Sequence, residues 1–323
     1  PVLAIAAALP AVFPVFQLPK PTGPHAVGTR FFYWVDEGRL DTYSPEPGDY
    51  REISLQMWYP ALPRGDEKTI PYMSTDAAEA FAAYGTDTAL PSFMWKYITL
   101  VVTHSYLNAP VVESESPFPV ILFSPSGLMS ASTALSEELA SHGYLVYSVQ
   151  HTYDASPTVF PDGTVAEMDP ALVVQMQAQM EAQEDEGFAA AFTAESYDAR
   201  YEGALANRRK AVEEGQRIAT VSADIWLADR LFVHDSLAAG KVPPEIAPIA
   251  AAGNLLRTGQ MGMSFGGSTT GAVCMVDVRC AAGVNLDGGD YHLQSWMANI
   301  PVPFLMLYSD YRRLYEQLGG DPA

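Results

Sequence analysis

Cysteine is scarce in this chain. Two residues, Cys274 and Cys280, are all that 323 positions contain. There is no Cys-x-x-Cys spacing and no Cys/His set, so a structural zinc site is not expected and no metal or cofactor is called for. The short separation of the pair leaves two readings open: a small disulfide loop, or two buried thiols. A bridge would point to an oxidising compartment. Positive charge is scarce too. Lys and Arg number 18 against 38 Asp and Glu, for a formal net charge of -20. That removes the basic face a nucleic-acid binder needs and opposes docking on strongly anionic membrane unless apolar contacts dominate. The acid excess reads first as a solubilising surface. Long apolar runs are lacking as well. Val2 to Phe16 is almost wholly apolar but is interrupted by Pro10 and Pro14. It falls short of the roughly 20 residues of a spanning helix. It is read as the tail of a membrane helix or signal segment, or as a strand tucked onto the domain. With Pro1 as the first residue, something upstream is taken to be omitted or removed, and the expected location is extracytoplasmic: periplasmic, secreted or membrane-attached.

What is present is core material. The chain is 48% hydrophobic and 17% charged, too apolar for disorder and sufficient for one enlarged domain. Residues 1–28 form an apolar, then Pro- and Gly-rich lead-in, and 29–323 read as the domain. Thr29 to Val35 and Arg51 to Tyr59 are strand-like. Ile53, Leu55, Met57 and Tyr59 alternate with Ser54, Gln56 and Trp58, the pattern of a half-buried antiparallel strand. Helical pieces are expected at Ala77 to Tyr84 and Phe93 to His104. Unbroken apolar runs at Val120 to Phe123 and Leu145 to Val149 flank a helix over Thr133 to His142. Leu135 and Leu139 share one face of that helix, and Gly143 is its stop, so the three elements make a βαβ unit. Asp169-Pro170 starts a helical section by N-cap logic. Residues 165–216 are rich in Ala, Glu, Gln and Met and read as an inserted cap. Its Met168, Met176 and Met180 either pack the lid or line an apolar pocket. A further helix carries Ile218, Val221, Ile225, Ala228 and Phe232 on one face. The βα alternation resumes at Thr258 to Met263, Ala281 to Leu286 and Pro303 to Leu307.

Gly262-Met263-Ser264-Phe265-Gly266-Gly267 closes the first of these resumed strands and opens a small-residue helix. In that context G-x-S-x-G is a nucleophile elbow, a serine on a sharp strand-to-helix turn. Small residues two before and two after it let strand and helix approach. The next amide, from Phe265, then sits at a helix N-terminus, aimed at a developing oxyanion. The order of elements is an α/β-hydrolase fold: a mostly parallel central sheet with N-terminal antiparallel strands and a helical cap insertion. The acid of such a site follows the serine. Asp287 ends the run Ala282 to Leu286 and is the first choice; Asp310, one strand later, is the alternative. His292 is the one histidine after Asp287. The triad histidine of this fold normally comes from a loop after the last strand, so the base is expected beyond Ala323, with His292 the lesser candidate. His142 reads as a helix-end residue and His151 as a loop residue bonded to Asp154 or backbone. Ser124-Pro125-Ser126-Gly127-Leu128-Met129 follows another strand. Gly127 would permit a tight turn there, and Leu128, or else Met129, would donate the second oxyanion amide.

Several stretches together resemble the platelet-activating factor acetylhydrolase family in a bacterial form. They are Leu18 to Gly28, Leu139 to Tyr144, His151 to Ser156, the elbow Gly262 to Gly267, and Asn285-Leu286-Asp287-Gly288. The resemblance runs from about residue 18 to 310, with 165 to 215 unmatched. It implies Ser264 as nucleophile, Asp287 as acid, the Phe265 and Leu128 amides as oxyanion hole, and no metal. Substrates would be esters with short or oxidised acyl groups, phospholipid sn-2 esters among them, with lipid or peripheral membrane contact. Met263 departs from the family's elbow histidine, which is not the triad base. Ser124 to Leu135 with the spacing to Asp310 is also similar to cutinase-like polyesterases of the same fold. A non-catalytic binding protein on a hydrolase scaffold is the rival of another class, and a fold by itself does not exclude it.

Overall fold

The alternation at residues 51–59 produces a strand, Tyr50–Ala61 (β2), paired antiparallel with Ala26–Leu40 (β1) in a register that sets Thr29 opposite Trp58 and Phe32 opposite Leu55. The computed structural model describes residues 15–84, 92–181, 196–289, 299–310 and 313. The polar connection between β1 and β2 is held by Arg51, whose guanidinium donates to Asp41 at 2.9 Å and to the Thr152 carbonyl at 2.7 Å. One expectation is corrected here. β2 is buried on both faces, Ser54, Gln56 and Trp58 as fully as Ile53, Leu55 and Met57. The alternation marked a polar interior face rather than a wet one, and Gln56 Nε2 satisfies itself on Thr29 Oγ1 at 3.1 Å.

The remaining strands are Thr69–Pro71 (β3), Val102–Leu107 (β4), Phe118–Ser124 (β5), Leu145–Gln150 (β6), Thr158–Val159 (β7), Val165–Ala166 (β8), Gly253–Met263 (β9), Cys280–Leu286 (β10) and Phe304–Leu307 (β11). In hydrogen-bonding order the main sheet reads β11-β10-β9-β5-β6-β2-β1-β4-β3, with β7 and β8 a separate pair. The helix expected over 93–104 is a 3₁₀ segment, Ser92–Leu100, and then β4, parallel to β1. The β-branched run Val101-Val102-Thr103 favours the strand, so His104 lies in the sheet. The chain divides into two units. One comprises Pro1–Ile121, Gly127–Glu167 and Ser236–Leu255, the other Leu122–Ser126, Met168–Asp235 and Leu256–Ala323.

The first unit holds helices Thr75–Tyr84 (α1) and Thr133–Ser141 (α2). α2 ends as read: Gly143 has φ +96°, and its amide and that of Tyr144 close on Ala140 and Leu139. Its inward face is not the one expected. Leu135 and Leu139 are half-buried, while Thr133, Ser136, Glu137, Ala140 and Ser141 are buried. A buried polar stripe persists where it finds partners. Glu137 Oε1 accepts from the His104 amide at 2.7 Å and from Ser105 Oγ at 2.6 Å, whereas Oε2 has no hydrogen bond.

In the second unit Asp169 caps Pro170–Glu181 (α3) by accepting from the Leu172 amide at 3.0 Å, as read, and also pairs with Arg217 at 3.2 Å. Ser196 caps Tyr197–Glu213 (α4). Met168 is buried and Met176 half-buried; the Met180 side chain lies outside the described residues. A π-turn, Ile218–Ser222, leads into Ala223–Ala238 (α5), most of which lies in this unit. Again the apolar stripe misleads. The buried positions of α5 include Ala223, Trp226, Asp229, Arg230, Val233, His234 and Leu237, with three ionisable residues on the inward face. Ile225, Ala228 and Phe232 are half-buried. A short helix, Ala247–Ala251 (α6), precedes β9 in the first unit. β9, β10 and β11 are parallel neighbours, and Phe265–Val276 (α7) connects the first two. Cys274 and Cys280 are bridged, with Cα atoms 5.1 Å apart, tying the end of α7 to the start of β10. Among the described residues no helix is long and apolar enough to cross a membrane.

Burial holds the Glu137 carboxyl above the usual carboxylate range, outweighing the hydrogen bonds from Ser105 and the His104 amide. The folded protein therefore keeps this proton longer than the unfolded chain does. Stability from the site is full below the ordinary Glu value of about 4.3 and is lost as pH rises through the elevated one. Glu137→Gln should accordingly gain on the parent protein as pH rises from 4 to 7, read as a difference in Tm that grows with pH. A difference that shrinks over that range would contradict the assignment.

Candidate active site

Ser264 sits between β9 and α7 with φ 50° and ψ −121°, a backbone conformation that a residue with a Cβ adopts only under constraint. Such a residue costs on the order of 1–3 kcal/mol and persists when its surroundings over-determine it. Here they do. The Ser264 amide donates to the Leu286 carbonyl at 2.8 Å, and its carbonyl accepts from the Gly267 and Ser268 amides at 2.8 and 3.2 Å. The flanking glycines are required by contact. A Cβ on Gly262 would meet the Gly266 carbonyl oxygen at 2.0 Å, and one on Gly266 would meet the Ser124 carbonyl oxygen at 2.0 Å. A Cβ on Gly267 would meet Asn285 Oδ1 at 2.1 Å. Ser264 is half-buried and neighbouring Met263 is exposed, so the bend reaches the surface while α7 is buried from Phe265 to Cys274.

The turn at Asp287 presses on the same bend. Asp287 also has positive φ, 57°. A Cβ on Gly288 would meet the Ser264 carbonyl oxygen at 2.2 Å, and Asn285 Oδ1 accepts from the Gly288 amide at 2.7 Å. Asp287 is anchored from the next strand tip: its amide donates to the Leu307 carbonyl at 2.7 Å, and its carboxylate accepts from the Ser309 amide at 2.7 Å and from Ser309 Oγ. Asp310 Oδ1 instead accepts from the Arg313 amide at 3.1 Å, the position of a cap. His292 lies outside the described residues. Of the five described histidines, His25 packs edge-on against Phe118, the His104 ring faces the Leu18 carbonyl, and His142 pairs with Glu138. His151 is fully buried, its carbonyl bonded to the Asp154 amide. His234 pairs with Asp277 at 2.8 Å. That last pair is a His–Asp dyad in the wrong place for the serine. Asp277 caps the far end of twelve-residue α7, about 18 Å from Ser264 at 1.5 Å per residue.

Phe265 opens α7, so its amide lies at a helix N-terminus, and its ring packs edge-on against Trp226 at 4.7 Å between centroids. Leu128 belongs to the other unit, where it precedes a 3₁₀ turn, Met129–Ser132, and its carbonyl accepts from the Ala131 amide at 3.0 Å. Gly127 is not needed as expected: its φ is not in the left-handed region, and a Cβ there would meet nothing within 4 Å. Among the described residues no group of three His, Cys, Asp or Glu side chains is placed to hold a metal ion.

Sequence reading missed the residue beneath the elbow. Arg230, fully buried on α5, donates to the Leu122 carbonyl at 2.6 Å and Ser124 Oγ at 2.8 Å on β5, and to Gln260 Oε1 at 2.5 Å and the Met261 carbonyl at 3.2 Å on β9. It thereby clamps the two strands that frame the bend. Burial among these neutral acceptors pulls the guanidinium down to about 9. The signal was present in the spacing of Ala223, Trp226, Arg230, Val233 and Leu237, which share one helical face. Asp277 was missed as well. Burial opposes its charge, but the Arg279 side chain and backbone, with His234, hold it below the usual range.

A strained serine between a parallel strand and a buried helix, set in this strand order, defines an α/β-hydrolase, and the comparisons agree. The family model for platelet-activating factor acetylhydrolase, isoform II, matches residues 11–188. The chain belongs to that family and is an ester-hydrolysing enzyme. Among solved structures, the ferulic acid esterase from Streptomyces cinnamoneus is similar with a TM-score of 0.58 and 24% identity, over 94% of this chain and 74% of that one. No curated protein matches by sequence. The family match ends before the elbow, so Ser264 and Asp287 rest on their own geometry.

Gly266→Ala drives a methyl group into the backbone of Ser124. It should destabilise the protein by about 2 kcal/mol or more, measured by chemical denaturation. An unchanged midpoint would show that the bend tolerates looser packing than described.

Proposed function

We propose that the protein hydrolyses short-chain or oxidised acyl esters through an acyl-enzyme on Ser264. The observation that carries this is the backbone of Ser264, held at positive φ on the turn between β9 and α7 by its backbone hydrogen bonds to Leu286, Gly267 and Ser268. Ser264 Oγ attacks the ester carbonyl as its proton passes to a histidine. The tetrahedral oxyanion accepts from the Phe265 amide at the start of α7. Collapse expels the alcohol, which takes the proton, and water then frees the acid by the same relay. Asp287 orients the histidine, which lies outside the described residues; His292 is one candidate. The family's name describes removal of an acetyl group from platelet-activating factor, and the structural neighbour is named as an esterase of ferulic acid. The first supports a small acyl group, and phospholipid sn-2 esters with short acyl chains fall within that class; the second supports a carboxylic ester. Residues 165–216, of which 182–195 lie outside the described residues, are read as a helical insertion within the domain 29–323. The Cys274–Cys280 bridge supports an extracytoplasmic location.

Ser264→Ala should lower p-nitrophenyl acetate turnover by at least about 10³-fold, and Asp287→Asn by about 10³–10⁴-fold. Asp310→Asn should leave it near the parent value. Collapse in Asp310→Asn with activity kept in Asp287→Asn would reverse the acid assignment. His292→Ala decides whether that residue is the base.

A further inference from the structure

Arg230 carries a charge that its surroundings do not neutralise. The guanidinium donates to the Leu122 carbonyl, Ser124 Oγ, Gln260 Oε1 and the Met261 carbonyl, all of them neutral acceptors. Its Nε has no hydrogen bond. The segments that carry those acceptors, residues 122–126 and 256–263, contain one charged side chain, and that is a second cation, Arg257. α7 and β10 contain none. On α5 the other titratable groups are Asp224, Asp229, His234 and Asp235. Asp224 is exposed, and Asp229, buried next to Arg230 in the chain, is not among the partners of its guanidinium. His234, one turn on, pairs with Asp277 at 2.8 Å, and Asp235 with Arg279 at 2.6 Å. Burial, with no carboxylate to offset it, lowers the pKa of the guanidinium.

Joining two strands does not require such a charge. A buried arginine without a counter-ion is costly, and a neutral or paired side chain would bridge β5 and β9 at less cost. The charge also has a particular place. The Met261 carbonyl that it touches is three residues before Ser264, so the guanidinium lies on the order of 10 Å from the elbow. The Ser124 hydroxyl that it touches belongs to the residue whose carbonyl oxygen presses on Gly266, in the first turn of α7. That twelve-residue helix presents its positive end at the same bend. Helix end and guanidinium are thus two positive sources near one serine.

We propose that Arg230 is a positioning residue whose unneutralised charge, buried under the elbow, favours the negative charge that develops at Ser264 during ester cleavage. The proposal rests on the reading of Ser264 as nucleophile. Arg230 touches no reacting atom and exchanges no proton; it acts through its field and through the two strands that it holds. At an effective dielectric of about 20, a unit charge at about 10 Å changes the rate by about tenfold.

Gln260→Glu tests this with the clamp intact. The new carboxylate replaces the acceptor that lies 2.5 Å from the guanidinium and neutralises it. A purely structural Arg230 would leave this variant as active as the parent. The proposal expects an equal or higher Tm, with kcat/KM for p-nitrophenyl acetate lowered about tenfold. The acid limb of kcat/KM, which reports the histidine of the free enzyme, should rise by at least about half a pH unit, because removing a nearby positive charge eases protonation of the imidazole. Arg230→Met should lower kcat/KM in the same proportion, at a lower Tm. Parent kcat/KM or an unmoved acid limb in Gln260→Glu would overturn the proposal. A lower Tm in that variant would also overturn it, by showing that the charge was already neutralised. Full turnover in Ser264→Ala would instead fault the nucleophile on which the inference rests. Loss of turnover there, with Gln260→Glu at the parent rate, faults the inference alone.

Discussion

The close approach of backbone to backbone at the bend after β9 is the constraint on which the rest of this structure depends. Gly262, Gly266 and Gly288 each occupy a place where a single methyl group would run into a carbonyl oxygen about 2 Å away. Because those atoms are backbone, no side-chain rearrangement can relieve them. Ser264 is consequently fixed in a conformation that it would not choose, with its amide on Leu286 and its carbonyl shared between two amides of α7. Asp287 is fixed in the same way from Ser309 and Leu307. The proposed nucleophile and acid are therefore set by strand tips and not by free loops, which suits a reaction that needs its groups positioned in advance.

The interior of each unit is more polar than the composition suggests. Arg230 bonds to both strands that frame the elbow, Glu137 draws together α2 and β4, and Asp277 gathers His234 and Arg279 at the far end of α7. Each group is costly to bury and worthwhile only when its hydrogen bonds are met. Such networks fix strand register and helix placement with a directionality that apolar contacts lack, and register decides which side chains reach the site.

That polarity also explains what could be read from the sequence. The β1–β2 pair, the α2 stop at Gly143, the Asp169 cap and the elbow all announce themselves through local chemistry: alternation, a left-handed glycine, a capping carboxylate, and glycines at fixed offsets from a serine. The inward faces of α2 and α5 did not. Hydrophobic periodicity assumes that buried means apolar, and it passed over Glu137, Arg230 and His234, whose burial depends on partners 30 or more residues away in the chain. The same assumption placed Ser54 and Gln56 in solvent when they are buried. Within the candidate site, the bend at Ser264 was legible from the glycines around it, and the turn at Asp287 from the run Ala282 to Leu286 before it. Their relation through Gly288 was not, since it depends on how two strand tips meet.

The central claim is that one hydroxyl, on Ser264, is made reactive by this bend. Treating the folded protein with a fluorophosphonate and mapping the adduct by mass spectrometry tests it most directly. A single stoichiometric adduct on Ser264, lost on unfolding the protein before treatment, is the predicted result. An adduct on another residue, or none on the folded protein, would contradict the account.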